Sequence, residues 1–359
     1  MTPLIRVIGS LNADMVSVAP RFPDPGETIT SSSYFTSAGG KGANQAVACG
    51  RMSRAKPTGT TNSTSDVNVE MIGAVGAMDG HFSSLLKPTL ERSGVDPSRV
   101  KVIDNAYTGA NYDGMQPTPE VLGMALAAPV PDVIVMQGEI PVDTVIGILR
   151  DIAAYKAKSR AAGKCGIECG PDVMLNPAPA PPGGLPEDVY AAVDHLILNE
   201  TEAELMTPPT EQLLRTVPEA DGLDGKEKVA RYFHKLGVSY ILITYGAKGV
   251  WYSAADGGSS GPSDGVQRFT NEIPAAPVSR VLDTTAAGDT FVGAYAVRVA
   301  RWREQRRGEG KAGQDVADDE KAYRYKTVMD EAMRLAALAS ARAVERQGAM
   351  DSIPFEDEI

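Results

Sequence analysis

Five β-rich runs, each ending in polar residues and separated by stretches of helical spacing, set the limits on what this chain can fold into. They are "LIRVIGS", "DVIVMQGE", "DVMLNP", "HLILNE" and "YILITYGAKG". Between them, Val142–Ala157 and Lys226–Leu236 place apolar residues at helical intervals. Strands alternating with helices predict an α/β fold, a doubly wound and mainly parallel sheet covered by helices on both faces. With 359 residues, 43% of them hydrophobic, the chain can bury such a sheet in a single domain spanning residues 1–359. The N-terminal part has another pattern. "MVSVAP" and "GETITSSSYFTSAGG" alternate apolar and polar residues between turn formers. That predicts a small antiparallel sheet with one wet face, a lid attached to the main sheet.

Composition narrows the partners. The formal net charge is −11, and the charged stretch Arg301–Lys311 mixes both signs. Nucleic acid and anionic membranes both call for a basic footprint, so neither is expected as a partner. No apolar run approaches the length of a membrane span. "MTPLIRVIGS" is apolar for too few residues to be a signal peptide and reads as the first strand. Cys49, Cys165 and Cys169 are an odd, sparse set. They predict a reducing compartment, the cytoplasm, with the nucleus left open. Neither they nor His81, His195 and His234 have the spacing of a zinc site. Three segments read as loops by composition: Ser53–Asn68, Ala254–Gly265 and the highly charged Arg301–Glu320.

Polar residues follow the apolar runs directly. Ser10, Asn12 and Asp14 come after the first, Glu139 after "VIVMQ", Asn176 after "VML", Asn199 and Glu202 after "HLIL", and Thr244 after "ILI". In a parallel sheet these emerge together at the carboxyl ends of the strands, the edge where open α/β sheets bind ligands. A second signal is "LDTTAAGDTF", Leu282–Phe291. Beyond Asp289, apolar residues fall at Val292, Tyr295, Val299 and Trp302, so Ala286–Asp289 lies near a helix N-terminus. Backbone N–H groups there lack partners and sit at the positive end of the helix dipole, and small side chains let an anion approach them. Asp289 is then either a helix-favouring charge or a base taking a hydroxyl proton during phosphoryl transfer. The glycine-rich "SAGGKGANQA" lacks P-loop spacing, but Lys41 and Asn44 offer donors suited to sugar hydroxyls.

These motifs together resemble the ribokinase type of the PfkB-type carbohydrate kinase family. The resemblance runs through "GSLNAD", "PGETI", "GGKGANQA", "GAVGAMDG", "NPAPA", "NETEAE", "TYGAKG", "DTTAAGDTF" and "GAMDSIP", in that order. It implies a three-layer α/β/α fold and ATP-dependent phosphorylation of D-ribose at the 5-hydroxyl. Asn12, Asp14, Gly40, Lys41, Gly42, Asn44 and Glu139 would hold the sugar. Asp289 would be the base, and Ala286, Ala287, Gly288 and Asp289 the anion hole. Asn199 and Glu202 would organise Mg²⁺ around the ATP phosphates, with Thr244, Gly246, Lys248, Gly249 and Gly288 beside the nucleotide. Asp283, Thr285, Ala343, Arg346, Gly348 and Ser352 match an activating monovalent-cation site, usually occupied by K⁺. The lid would come mainly from residues 14–38 and 100–112 and would also make a homodimer contact.

The chain departs from the family pattern in two places. Thr108-Gly109 runs straight into Ala110-Asn111, where the family has a further lid hairpin. A shortened lid predicts weaker sugar enclosure and argues against the dimer contact. Ala337 stands where Asn or His is common near the adenine. Two alternatives stay open: a kinase for another sugar or a nucleoside, and a catalytically impaired isoform that binds sugar or nucleotide.

Overall fold

The computed structural model describes residues 2–58, 64–109, 113–181, 183–255 and 268–359. The strands, in chain order, are β1 (Leu4–Ile8), β2 (Asn12–Val18), β3 (Ser33–Gly39), β4 (Asn68–Gly76), β5 (Val95–Ile103), β6 (Val133–Gln137), β7 (Asp172–Asn176), β8 (His195–Asn199), β9 (Tyr240–Thr244), β10 (Val250–Ala254) and β11 (Phe269–Ile273). Among the described residues, nine of them form one sheet in the order β11-β10-β9-β8-β7-β6-β1-β4-β5, and β2 pairs with β3 apart from it. From β5 to β9 the pairings are parallel, while β10 is antiparallel to both β9 and β11. Strand order turns back between β1 and β6, which opens a crevice at their carboxyl ends.

Alternate residues of the strands face opposite layers. Val133, Val135 and Leu242 join one core, with α1 (Lys41–Met52), α5 (Ala287–Gly308) and α6 (Met329–Val344). Ile134, Met136, Ile241 and Ile243 join the other, with α2 (Val142–Ala161) and α4 (Gly225–Lys235); the short α3 (Glu200–Met206) adds Ala203 and Met206 to it. Both faces are therefore dry, as the near-continuous apolar strand runs require. The five strands and two helical stretches read from the sequence are all present.

Three readings need correcting or bounding. Arg301–Gly308 is not loop but the last two turns of α5, and Asp318–Tyr323 is helical too. Arg303 and Arg306 are buried there and held by Asp172 and Glu320, so these two charges pair internally instead of facing water. Residues 100–103 end β5, an edge strand of the main sheet, and do not enter the lid. Among the described residues the lid sheet is β2 and β3 alone, and the proposed gap at Gly109-Ala110 runs into residues 110–112, which lie outside those described. Most of Ala254–Gly265 and part of Ser53–Asn68 lie outside them as well. Among the described residues no helix is long and apolar enough to cross a membrane.

Candidate active site

The crevice is a cavity of about 590 Å³ lined by Asn12 and Asp14 of β2, by Glu139, Asn176, Asn199 and Thr244 at or just beyond the ends of β6 to β9, and by Glu202 of α3. Gly40, Lys41 and Asn44 line it from the start of α1, and Ala286, Ala287, Gly288 and Asp289 from the start of α5. The strand-end pattern thus converges on one site.

One wall of the cavity is built on the turn from β3 into α1. Gly40 caps α1 with φ 89°, and a Cβ there would lie 2.7 Å from the Asn12 backbone nitrogen. Only glycine brings α1 this close to the end of β1. The close approach lets Ser10 Oγ donate to Glu139 Oε2 at 2.6 Å, while the Lys41 N–H donates to the same oxygen at 2.9 Å. Gly42 does not line the cavity; its N–H donates to Ser10 Oγ at 3.3 Å, so it anchors the helix to the strand. Burial, and secondarily the Glu139 charge, pushes the Asp14 carboxyl up from the usual range.

Asp289 is buried in the first turn of α5. Its two oxygens accept from Asn44 Nδ2 and Gln45 Nε2, each at 2.9 Å. Gln45 Nε2 also reaches Asn176 Oδ1 at 3.1 Å, and Gln45 Oε1 accepts from the buried Gln137 at 2.7 Å. Sequence reasoning missed Gln45 and Gln137. Gln45 sits inside the quoted "GGKGANQA", but nothing local showed that α1 would turn it toward a residue 244 positions away. Burial pushes the Asp289 carboxyl up, opposed by the Lys41 charge and by the Asn44 and Gln45 donors, with Glu139 adding to the rise. Gln45→Ala should lower kcat on the order of 10²-fold through misplacement of the carboxylate, and leave the KM for ATP nearly unchanged. Steady-state kinetics with both substrates varied will check this.

The start of α5 leaves backbone N–H groups open toward the cavity. Ala286 caps α5 in the left-handed region, φ 59°. The Ala287 N–H goes to Thr284 O at 3.3 Å, whereas those of Gly288 and Asp289 take no backbone partner among the described residues. A second cavity of about 570 Å³ lies beyond, apolar, lined by Gly249, Val250, Ala275, Val278, Ala337 and Val344 among others. The two cavities share Thr244, Gly246, Thr284, Ala287, Gly288 and Phe291. Lys248 is the correction here: it lines a separate hollow with Glu200, Lys226 and Trp251, and neither of these cavities.

Asn199 and Glu202 form a capping box on α3. The Glu202 N–H donates to Asn199 Oδ1 at 2.8 Å, and the Asn199 N–H to Glu202 Oε2 at 2.9 Å. Burial pushes Glu202 up, partly offset by its bond from the Asn199 backbone. Just before α5, Asp283 accepts from Thr285 through Oδ1 and from the Gly348 N–H, at 3.0 Å, through Oδ2. These bonds, the Thr285 side chain first, hold Asp283 below the usual carboxylate range. Ala343 O accepts from the Arg346 N–H, the Arg346 side chain turns to Glu358, and the buried Ser352 hydroxyl donates to Ala349 O.

A profile of the pfkB family carbohydrate kinases matches residues 2–113 and 156–356. The chain belongs to this family. It is an ATP-dependent sugar kinase. Among curated relatives, the ribokinase of Schizosaccharomyces pombe is 31% identical over 98% of this chain and 94% of the relative. That of Haemophilus influenzae is 29% identical over 100% of the kinase and 97% of the relative. Of solved structures, Arabidopsis thaliana ribokinase complexed with ribose and ATP superposes with a TM-score of 0.65 at 25% identity, covering 99% and 97% of the two chains. Ribokinase from Giardia lamblia gives 0.70 at 22% identity, over 100% and 97%.

Proposed function

We infer that this kinase acts on D-ribose, transferring the γ-phosphoryl group of ATP to the 5-hydroxyl to give ribose 5-phosphate and ADP. The observation that carries the reading is the place of Asp289, at the point where a polar, hydroxyl-binding cavity meets an apolar one across the N-terminus of α5. The polar cavity takes the sugar, with Asp14 and Glu139 accepting from its hydroxyls and Lys41 and Asn44 donating. The apolar cavity takes the adenine, and Ala337 gives it shape without a hydrogen bond to the base. Asp289 removes the 5-hydroxyl proton as that oxygen bonds to the γ-phosphorus and the bridging bond to ADP breaks. The Gly288 and Asp289 N–H groups meet the charge on the transferring group.

Two ions belong to this proposal. Glu202 lines the cavity and accepts from Asn199 at both oxygens and from Asn176 Nδ2 at Oε2, at 3.5 Å. One carboxylate with water and phosphate oxygens suits Mg²⁺, which neutralises charge on the ATP phosphates. Asp283, held between Thr285 and Gly348, is a single carboxylate, and its own N–H donates to Val344 O at the end of α6, beside the residues Ala343, Arg346 and Gly348. One negative charge among neutral oxygens fits a monovalent cation, which would fix the loop leading into the anion hole. Asp283→Asn should abolish stimulation of turnover by K⁺ while activity in its absence changes by less than about threefold; titrating KCl against turnover in both proteins checks this.

One observation favours a second reading. A smaller hollow, about 230 Å³, adjoins the sugar cavity at Asn12 and Glu139 and runs between Gly109, Met115 and Ile140. A nucleoside base needs such room. Comparing kcat/KM for ribose, 2-deoxyribose, adenosine and inosine tests the assignment. A ribose preference of at least tenfold is expected, and a nucleoside preference overturns it.

A further inference from the structure

At the opposite edge of the sheet, where β7, β8 and β9 begin, lies another cavity, about 710 Å³. The charged segment after α5 folds over it: the Gly166 N–H donates to Asp315 at 2.9 Å, and Arg306 donates to Gln314 O at 2.8 Å. Its lining carries seven Lys or Arg against three Asp, in a chain of net charge −11. Most of these cations are committed. Lys156 is paired with Asp194, Arg303 with Asp172, Arg306 with Glu320 and Lys321 with Asp318.

Arg324 is different. Its side chain is only 12% exposed, and its guanidinium lies 3.7 Å from the Trp302 ring centre and 4.7 Å from that of Tyr240. Stacking fixes the plane, and the donors lie at its edge. Among the described residues the guanidinium makes no hydrogen bond; the nearest carboxylate oxygen, on Asp172, is 3.8 Å away. A largely covered guanidinium with no hydrogen-bond partner among the described residues keeps its donors for a ligand. Lys235, also on the lining, has no ion pair among the described residues, and Arg160 reaches Asp315 only at 3.9 Å. Three cations thus face one cavity with little anionic compensation, while Ala153, Ala157 and Leu236 supply an apolar wall.

We propose that this cavity is a binding site for the phosphoryl group of a small phosphorylated metabolite, held in bidentate fashion by Arg324 and closed electrostatically by Lys235 and Arg160. A planar guanidinium with a free edge matches two phosphate oxygens, and a dianion uses all three charges. The site is separate from the catalytic crevice, which lies at the other ends of the same strands.

Calorimetric titration of inorganic phosphate into the full chain, without Mg²⁺, tests the site. Arg324→Met, which keeps the stem packed against Trp302, should weaken binding at least tenfold. Lys235→Gln, on the exposed rim, should weaken it about two- to fivefold with unaltered kinase turnover. Circular dichroism on each variant confirms that the fold is kept, and the Lys235 variant carries the test if the Arg324 variant misfolds. Malonate, titrated in parallel, should bind at least tenfold more weakly than phosphate. Equal phosphate affinity in wild type and in the folded variants overturns the site, as does no binding by wild type at millimolar phosphate. Equal or tighter binding of malonate overturns its phosphoryl preference.

Discussion

Asp289→Asn should reduce kcat by about 10²–10⁴-fold, the range for removal of a positioned general base. The variant should nevertheless fold at least as stably as the wild type. The carboxylate is buried and its protonation is favoured by desolvation, so its ionised form is a cost to folding at neutral pH. For a group whose folded pKa is raised, the stabilising contribution is full below its unfolded pKa and is lost as pH rises through the folded one. Asparagine keeps the shape and removes that loss, although its amide cannot accept from both Asn44 and Gln45 as the carboxylate does. Thermal melts at pH 7 beside single-turnover kinetics separate the two effects. The same raised pKa sets the pH dependence of wild-type turnover. The acid limb of kcat/KM should lie above the ordinary Asp range, because the base works only when ionised.

Gly293→Ala should lower both stability and turnover, although Gly293 lies outside the crevice. Gly293 lies in α5 where it crosses α1, and a Cβ there would meet Ala48 Cβ at 2.3 Å, Cys49 N at 2.8 Å and Gln45 O at 2.9 Å. Alanine normally favours a helix interior over glycine by about 1 kcal/mol. Two of the three contacts are backbone atoms of α1, which cannot rotate away, so overpacking of about 1–3 kcal/mol wins. The wedge also moves catalysis, because α1 carries Asn44 and Gln45 to the Asp289 that α5 holds. A lowered melting temperature together with a fall in kcat is expected. An unchanged melting temperature would show that the two helices tolerate more separation than their packing suggests.

The sheet and the site differed in how far they could be read from residues alone. β1 and β6 through β9 are buried on both faces and short, so their apolar runs stand out against the helices between them. β5 did not, because Pro97 and two polar neighbours interrupt it, and the structure places them at a register shift against β4. β10 follows β9 across a five-residue turn with two glycines and reads as its continuation. In the crevice, polar residues at strand ends were legible because topology alone brings them together. Gln45 and Gln137 were not, since they act through the crossing of α1 over the sheet, a tertiary fact without local signal. Lys248 illustrates the opposite error. It stands within a nucleotide-side motif, yet the turn before β10 directs it to a neighbouring hollow.

The central claim is that the polar cavity presents a ribose hydroxyl to Asp289 and to the γ-phosphoryl group of ATP. Its most direct test is ribose-dependent ADP release by this chain with Mg²⁺ and K⁺ present, with the sugar product identified by ³¹P NMR. The account predicts ADP release that requires ribose and one product, phosphorylated at the 5-position. Absence of ribose-dependent release from folded protein that binds ATP, or phosphorylation at another hydroxyl, would contradict it.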